Sequence, residues 1–353
     1  MDNLTVDVIK VFVLGTLAFF LAFFLTPVLT NFLYKYKFWK KEVKTKAIDG
    51  GALPIFQKFH SENETKTPRG GGVLFWLTTL ILIILFFIIS EFIDIWWLDK
   101  LNFLSRGQTW LPLFALVTAS LIGLFDDILT VKGKGKYISG GLNLKTRLLL
   151  ITLIGLIGGY WFHFRLDWTT LHIPGVGPIE IGILYIPLFV LVMLAVYSGG
   201  VIDGLDGLAG GTFASIFTAF AIIALWRGQI DLAAFCMVIV GTLLAFLWFN
   251  IPPARFYMGE TGSMGLTATL TVITFLTDSV LVLPIIGFLL VITSGSVILQ
   301  LFSKKFRKKK LFLAAPIHHH FQAIGWPHYK ITMRFWLIGT VMAIIGTAIR
   351  LLG

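Results

Sequence analysis

Ser198-Gly199-Gly200-Val201-Ile202-Asp203-Gly204-Leu205-Asp206-Gly207-Leu208-Ala209 separates two apolar runs, Ile183–Tyr197 and Ala209–Trp226, and sets two carboxylates at the end of the first. Each run is apolar enough to cross a bilayer. Ionisable groups at such a place are expensive and mark function by default; the plain alternative is a polar loop between helices. Asp203 and Asp206, spaced i, i+3, share one face if the segment is helical. The glycines allow a ligand to approach the backbone closely.

The composition agrees. The chain has 353 residues, 57% hydrophobic and 13% charged, with a mean hydropathy of +0.87. No soluble domain of this length has that balance. The reading is an all-α polytopic membrane protein, one domain over residues 1–353. The lone Cys236 sits in an apolar run, so no disulfide forms within the chain. The net charge of +11 calls for no nucleic acid, because topology already explains it.

Hydropathy predicts about ten spans: Val8–Leu29, Gly72–Ile89, Leu111–Phe125, Thr146–Phe162, Ile183–Tyr197, Ala209–Trp226, Leu232–Phe249, Met264–Thr277, Leu281–Phe302 and Phe335–Leu352. The first is too long for a signal-peptide core and is kept as a span. The connections 30–71, 126–147, 198–208, 250–263 and 303–334 hold 23 of the 29 Lys and Arg residues, whereas acids divide evenly. Basic residues stay in cytoplasmic loops, so these loops are cytoplasmic and both termini lie outside. On the outer side, Trp96, Trp97 and Trp110 read as an interfacial aromatic belt. Ile173 to Pro178 reads as the turn of a short hairpin.

The chemically distinctive motifs all fall on the cytoplasmic side. Lys66-Thr67-Pro68-Arg69-Gly70-Gly71-Gly72 enters a span, where exposed backbone N–H groups and basic side chains form an anion site or simply a flexible helix entry. Asp126 and Asp127 close the third span against the negative end of its dipole, which nothing structural in the sequence favours. A hard divalent cation such as Mg²⁺ removes that conflict. Lys132, Lys134 and Lys136 alternate with glycines downstream. Asn250 precedes Pro252-Pro253, and Gly259-Glu260-Thr261-Gly262-Ser263 opens the next span, offering either a helix cap or a phosphate and metal site. Six of the seven residues 304–310 are basic, as anionic headgroups and topology require. His318, His319 and His320 follow. Three successive histidines cannot all face one ion from a helix, but they suit phosphate or sugar oxygens. Five acids, glycine turns, basic loops and histidines on one face describe a site for a multiply anionic substrate with Mg²⁺ beside the bilayer. The natural reaction is phosphoryl transfer between a nucleotide and a lipid phosphate.

Phe125-Asp126-Asp127, Asp203-Gly-Leu-Asp-Gly-Leu-Ala209, Phe256-Tyr-Met-Gly-Glu-Thr-Gly-Ser263 and Pro316-Ile-His-His-His-Phe321, with Gly325-Trp326 and Arg334-Phe-Trp336, resemble the motifs of one family. It is the phospho-N-acetylmuramoyl-pentapeptide-transferases of the polyprenyl-phosphate N-acetylhexosamine-1-phosphate transferase superfamily. The resemblance runs along nearly the whole chain. It implies ten transmembrane helices in the bacterial inner membrane and a homodimer. The implied reaction moves phospho-MurNAc-pentapeptide from UDP-MurNAc-pentapeptide to undecaprenyl phosphate, giving lipid I and UMP with Mg²⁺ as cofactor. It places Asp126, Asp127 and Asp203 at the reaction centre and Glu260 and Asp203 on the metal. It gives Lys66, Asp206, Asn250, Tyr257, Gly259 and His318 to His320 to the substrate, with Asn250 and Tyr257 against uracil.

Three positions depart from the family pattern. Glu260 stands where the family has Asp, a Mg²⁺ ligand. Gly200-Val-Ile-Asp-Gly204 replaces Asn-Leu-Thr-Asp-Gly. In the motif Lys-x-Gly-Thr-Pro-Thr-Met-Gly-Gly, Glu64 occupies the lysine position, while Lys66 directly precedes Thr67-Pro68. Two other functions are consistent with the same residues. One is a sister transferase of N-acetylglucosamine-1-phosphate, against which the histidine triplet argues. The other is a transporter or silent lipid-binding homologue, against which the clustering of acids at one face argues. The charge bias makes a direct prediction: cysteines introduced at His60 and His172 react with membrane-impermeant reagents from opposite sides. Labelling of both from one side contradicts the ten-span topology.

Overall fold

The computed structural model describes residues 3–41, 57, 64–93, 95–135 and 140–353. His60, Lys136 and position 137 lie outside these described residues. The helices are α1 Asn3–Lys35, α2 Val73–Phe92, α3 Trp96–Leu101, α4 Trp110–Val131, α5 Leu144–Arg165, α6 Tyr185–Ser198, α7 Leu208–Trp226, α8 Ile230–Asn250, α9 Gly259–Leu276, α10 Leu283–Ile286, α11 Phe288–Arg307, α12 Ile317–Ala323 and α13 His328–Leu352. The expected outer hairpin is present: β1 Thr170–Ile173 pairs antiparallel with β2 Gly177–Glu180, Thr170 opposite Glu180.

Local chemistry sets several helix ends. Asn143 caps α5, its side-chain oxygen accepting from Thr146 N–H at 2.8 Å. α8 stops at Asn250, just before the two prolines that cannot continue it. The run expected over Leu281–Phe302 is not one helix. Pro284 lies in the first turn of the short α10, Gly287 breaks the chain, and α11 continues to Arg307, carrying Lys304 and Lys305 as helical residues.

Nine helices of the described residues are long and apolar enough to span a membrane, which makes the chain a polytopic membrane protein. The tenth expected span, Met264–Thr277, is the main part of α9 but does not qualify on apolarity. The reason is its place in the molecule. α9 is the central column, with every residue after Glu260 buried. Its threonines beyond the first turn bond their own helix: Thr269 donates to Gly265 O at 2.7 Å and Thr274 to Leu270 O at 2.8 Å. Self-satisfied hydroxyls make a polar helix tolerable inside protein.

The other helices surround this column. α4 packs along α9, α1 along α8, α8 along α7, and α5 along α6. Between membrane helices there is little hydrophobic drive, so close backbone approach through small residues supplies the packing. A side chain at Gly123 of α4 would collide with the Glu260 carbonyl, and one at Gly265 with the Ser120 hydroxyl. Phe24, Leu149, Leu191, Leu337 and Ile344 point outward from the bundle, as lipid-facing residues do.

Replacing Gly123 by Leu therefore forces α4 from α9, at about 3 kcal/mol or more. The melting temperature in detergent falls. Gly107→Leu, at a position with nothing within 4 Å, is the matched control and leaves it unchanged.

Candidate active site

The site is built at the N-terminus of α9. A helix start leaves backbone N–H groups without intrahelical partners and carries a positive dipole end. Asp127, from the far end of α4, answers both. Its carboxylate accepts from Glu260 N–H at 3.1 Å, Thr261 N–H at 2.9 Å and the Thr261 hydroxyl at 2.7 Å. Gly259, at φ +75°, has no room for a Cβ because Asp127 Oδ2 occupies it. The Gly259 N–H bonds the Asp203 carboxylate instead. Two sequence expectations are corrected here. Asp127 does have a structural reason to be at its helix end, since it caps a different helix. The opening of α9 is not an open phosphate cradle, because carboxylates already take its N–H groups.

Asp126 faces the other way. It accepts from Leu142 N–H at 2.6 Å and from Arg147 Nη2 at 2.8 Å. Arg147 then reaches Glu260, Nη1 to Oε1 at 2.6 Å, and its Nε bonds Leu142 O at 3.1 Å. One guanidinium thus ties α4, α5 and α9 together with bidentate geometry that Lys cannot reproduce. Sequence reading passed over Arg147, counting it only as a topological charge. The Asn143 cap just upstream was the available signal, since it fixes where the first turn of α5 points.

The loop Asp203–Gly207 lies beside this cluster. Burial pushes the Asp203 carboxyl up to about 7, with Arg69 opposing the rise and Glu260 and Asp127 adding to it. Asp206 Oδ2 accepts from Ala254 N–H at 3.1 Å. Asn250 is buried, its oxygen accepting from Gly207 N–H at 2.9 Å and its amide donating to Phe256 O at 2.8 Å. Asn250 is thereby a brace between two site loops rather than an open contact for a base. Tyr257 is half-buried, its hydroxyl bonded to Thr67, and burial followed by Asp206 raises its pKa.

The histidines divide. His318 is fully buried and presses against Gly204, as does His319, so no side chain fits at 204. His319 Nδ1 pairs with Gln322 Oε1 at 2.6 Å. His320 turns away and accepts from Leu313 N–H at 3.2 Å, so it does not share the site with the other two. Lys66 is exposed. Two of the three N–H groups of the glycine run are taken by backbone. Gly71 N–H donates to Tyr257 O and Gly72 N–H to Met258 O, both at 2.9 Å. Gly200 lies against Ser263, with space left for the side chain it lacks.

Among the described residues, no three of His, Cys, Asp and Glu are grouped as a ready metal cage. The donor chemistry still fits Mg²⁺, which characteristically takes one or two carboxylates and completes its shell with water and substrate phosphates. Asp203 and Glu260 are the residues that could hold it: burial first, and then the Glu260 charge, raises the Asp203 carboxyl.

A family model described as glycosyl transferase family 4 matches residues 109–278, which include Asp126, Asp127, Asp203 and, in the first turn of α9, Glu260. A phospho-N-acetylmuramoyl-pentapeptide-transferase of Anoxybacillus flavithermus is 34% identical over 333 residues, 94% of each chain. This chain belongs to that family. The enzyme of the same name from Listeria monocytogenes is 36% identical over 296 residues, covering 83% of this chain and 86% of its own. That of Lactiplantibacillus plantarum is 35% identical over 300 residues, covering 82% and 86%. Family membership thus rests on the whole length of the fold.

The geometry separates two acids that the sequence grouped together. Asp127→Asn removes the charge and reverses donors at the α9 cap, so stability falls by about 2 kcal/mol or more. Asp203→Asn replaces a crowded carboxylate by a neutral amide, so activity is lost while the melting temperature stays or rises. Thermal unfolding of both variants, read beside turnover, checks the distinction.

Proposed function

We infer that this protein transfers phospho-MurNAc-pentapeptide from UDP-MurNAc-pentapeptide to undecaprenyl phosphate, forming lipid I and releasing UMP in peptidoglycan synthesis. The observation that carries the reading is the convergence of Asp203, Glu260, Arg147 and His318 around the N-terminus of α9, in a chain similar over 94% of its length to transferases of that name.

The chemistry asks for positioning more than for a base. A phosphate monoester has a second pKa of about 6, so the lipid phosphate is largely a dianion at neutral pH. It attacks the β-phosphorus of the sugar nucleotide, and UMP departs. Asp126 has both oxygens engaged, by Leu142 N–H and by Arg147. Its role is therefore to aim Arg147 at the reacting phosphates, not to abstract a proton. Asp203 and Glu260 would hold Mg²⁺, which would supply charge neutralisation at the diphosphate and the leaving group, and His318 orients the phosphate or sugar oxygens that meet the Asp203 loop.

The site is proposed to open on the cytoplasmic face of the bacterial cell membrane, with both termini outside. Support comes from the 23 basic residues, of 29, in the loops that build it. The homodimer is proposed on family resemblance.

Purified protein given undecaprenyl phosphate and Mg²⁺ should release UMP from UDP-MurNAc-pentapeptide and stop when EDTA is added. Release from UDP-N-acetylglucosamine alone assigns the chain to the sister activity instead. Glu260→Gln should raise the Mg²⁺ requirement about tenfold or more, on the scale of losing one partner around a metal. Glu260→Asp also raises it, because the shorter side chain no longer reaches Arg147. An unchanged Mg²⁺ midpoint in Glu260→Gln removes Glu260 from the metal.

A further inference from the structure

The segment before α2 holds a buried ionic group that the reaction scheme above leaves unused. Lys40 Nζ contacts both oxygens of Glu64, at 3.0 and 2.8 Å, and both side chains are nearly enclosed. Arg69 Nη2 lies 3.5 Å from Glu64 Oε1, with its side chain 21% exposed. Lys40 and Glu64 pair with each other, and the Arg69 guanidinium is the more exposed of the two cations beside Glu64.

The backbone fixes where that guanidinium stands. Tyr257 N–H donates to Pro68 O at 2.8 Å, and Gly71 N–H returns to Tyr257 O at 2.9 Å. Arg69 lies between those two rungs, and its own N–H bonds Phe38 O at 2.8 Å. The ladder runs directly into the start of α9. Arg69 consequently lies within electrostatic reach of Asp127, Asp203 and Glu260 at once. Its ion-pair partner among the described residues is Glu64, at 3.5 Å, and not one of those three acids.

We propose that Arg69, braced by the Lys40–Glu64 pair, is the cation that grips the diphosphate of the sugar nucleotide. A planar guanidinium held at its back by a carboxylate presents its remaining N–H donors forward in a fork that matches phosphate oxygens. A diphosphate bound beside the acids would meet the Arg69 guanidinium. The charge pattern of the segment supports the assignment. Where the family motif reads Lys at the position of Glu64 and Thr at that of Arg69, this chain has exchanged the order of charge, moving the cation five residues along and using the acid to hold it.

The proposal rests on the transferase reading, and the test keeps the two apart by using uridine and UDP as calorimetric probes of the detergent-purified full chain. Wild-type protein that binds neither probe contradicts the parent reading. If Arg69 grips the diphosphate, Arg69→Ala weakens UDP about ten- to hundredfold while uridine affinity holds, as loss of charge-assisted hydrogen bonds predicts. The KM for the sugar nucleotide then rises more than kcat falls, and Arg69→Lys recovers part of the loss. UDP affinity unchanged in Arg69→Ala overturns the proposal, as does an effect confined to the KM for the lipid phosphate. Retained uridine binding in each variant shows that the fold has survived.

Discussion

Everything in the site depends on one capping interaction, that of the Asp127 carboxylate with the first turn of α9. A buried helix start with open N–H groups costs several hydrogen bonds and leaves half a charge unanswered. Asp127 supplies acceptors from another helix, so the cap also locks α4 against α9. With that joint closed, Glu260 is aimed at Arg147, Arg147 at Asp126, and the Gly259 N–H at Asp203. The chemistry is thus hung from a structural hydrogen bond, and the acid pair at the end of α4 divides into one residue that builds and one that orients.

The fold was largely legible because bilayers impose length and apolarity on each crossing. Runs such as Leu232–Phe249 and Ala209–Trp226 map onto α8 and α7 with little change at their ends. Two elements were read less fully, for different reasons. The run Met264–Thr277 is a helix as expected, but α9 touches protein on all sides, so its sequence answers to neighbours and not to lipid, and its threonines keep it outside the nine described helices apolar enough to span. The break at Gly287 lies inside an apolar stretch, where hydropathy has no means of distinguishing one helix from two.

The site was legible in its residue types and less so in their duties. Asp203, Glu260 and His318 do gather at one place. Asn250, however, is consumed in bracing two loops, and His320 faces away. The glycine triplet serves close packing and a backbone ladder, not an anion. Such duties depend on partners far along the chain: Arg147 lies 113 residues from Glu260, and no local period connects them. Sequence pattern reports which side of a helix is apolar; it carries no record of which distant carboxylate a guanidinium will find.

The buried character of α9 bears on how the protein is made. A helix whose polar hydroxyls face only protein gains little by entering lipid alone. α4 and α6 both precede it in the chain, and together they offer the walls that α9 requires. Membrane integration of α9 is accordingly a step of assembly rather than of partitioning, completed when Asp127 meets the arriving N-terminus. The catalytic cluster therefore comes into being only with the last stage of bundle closure, and a half-integrated chain carries its acids without a site.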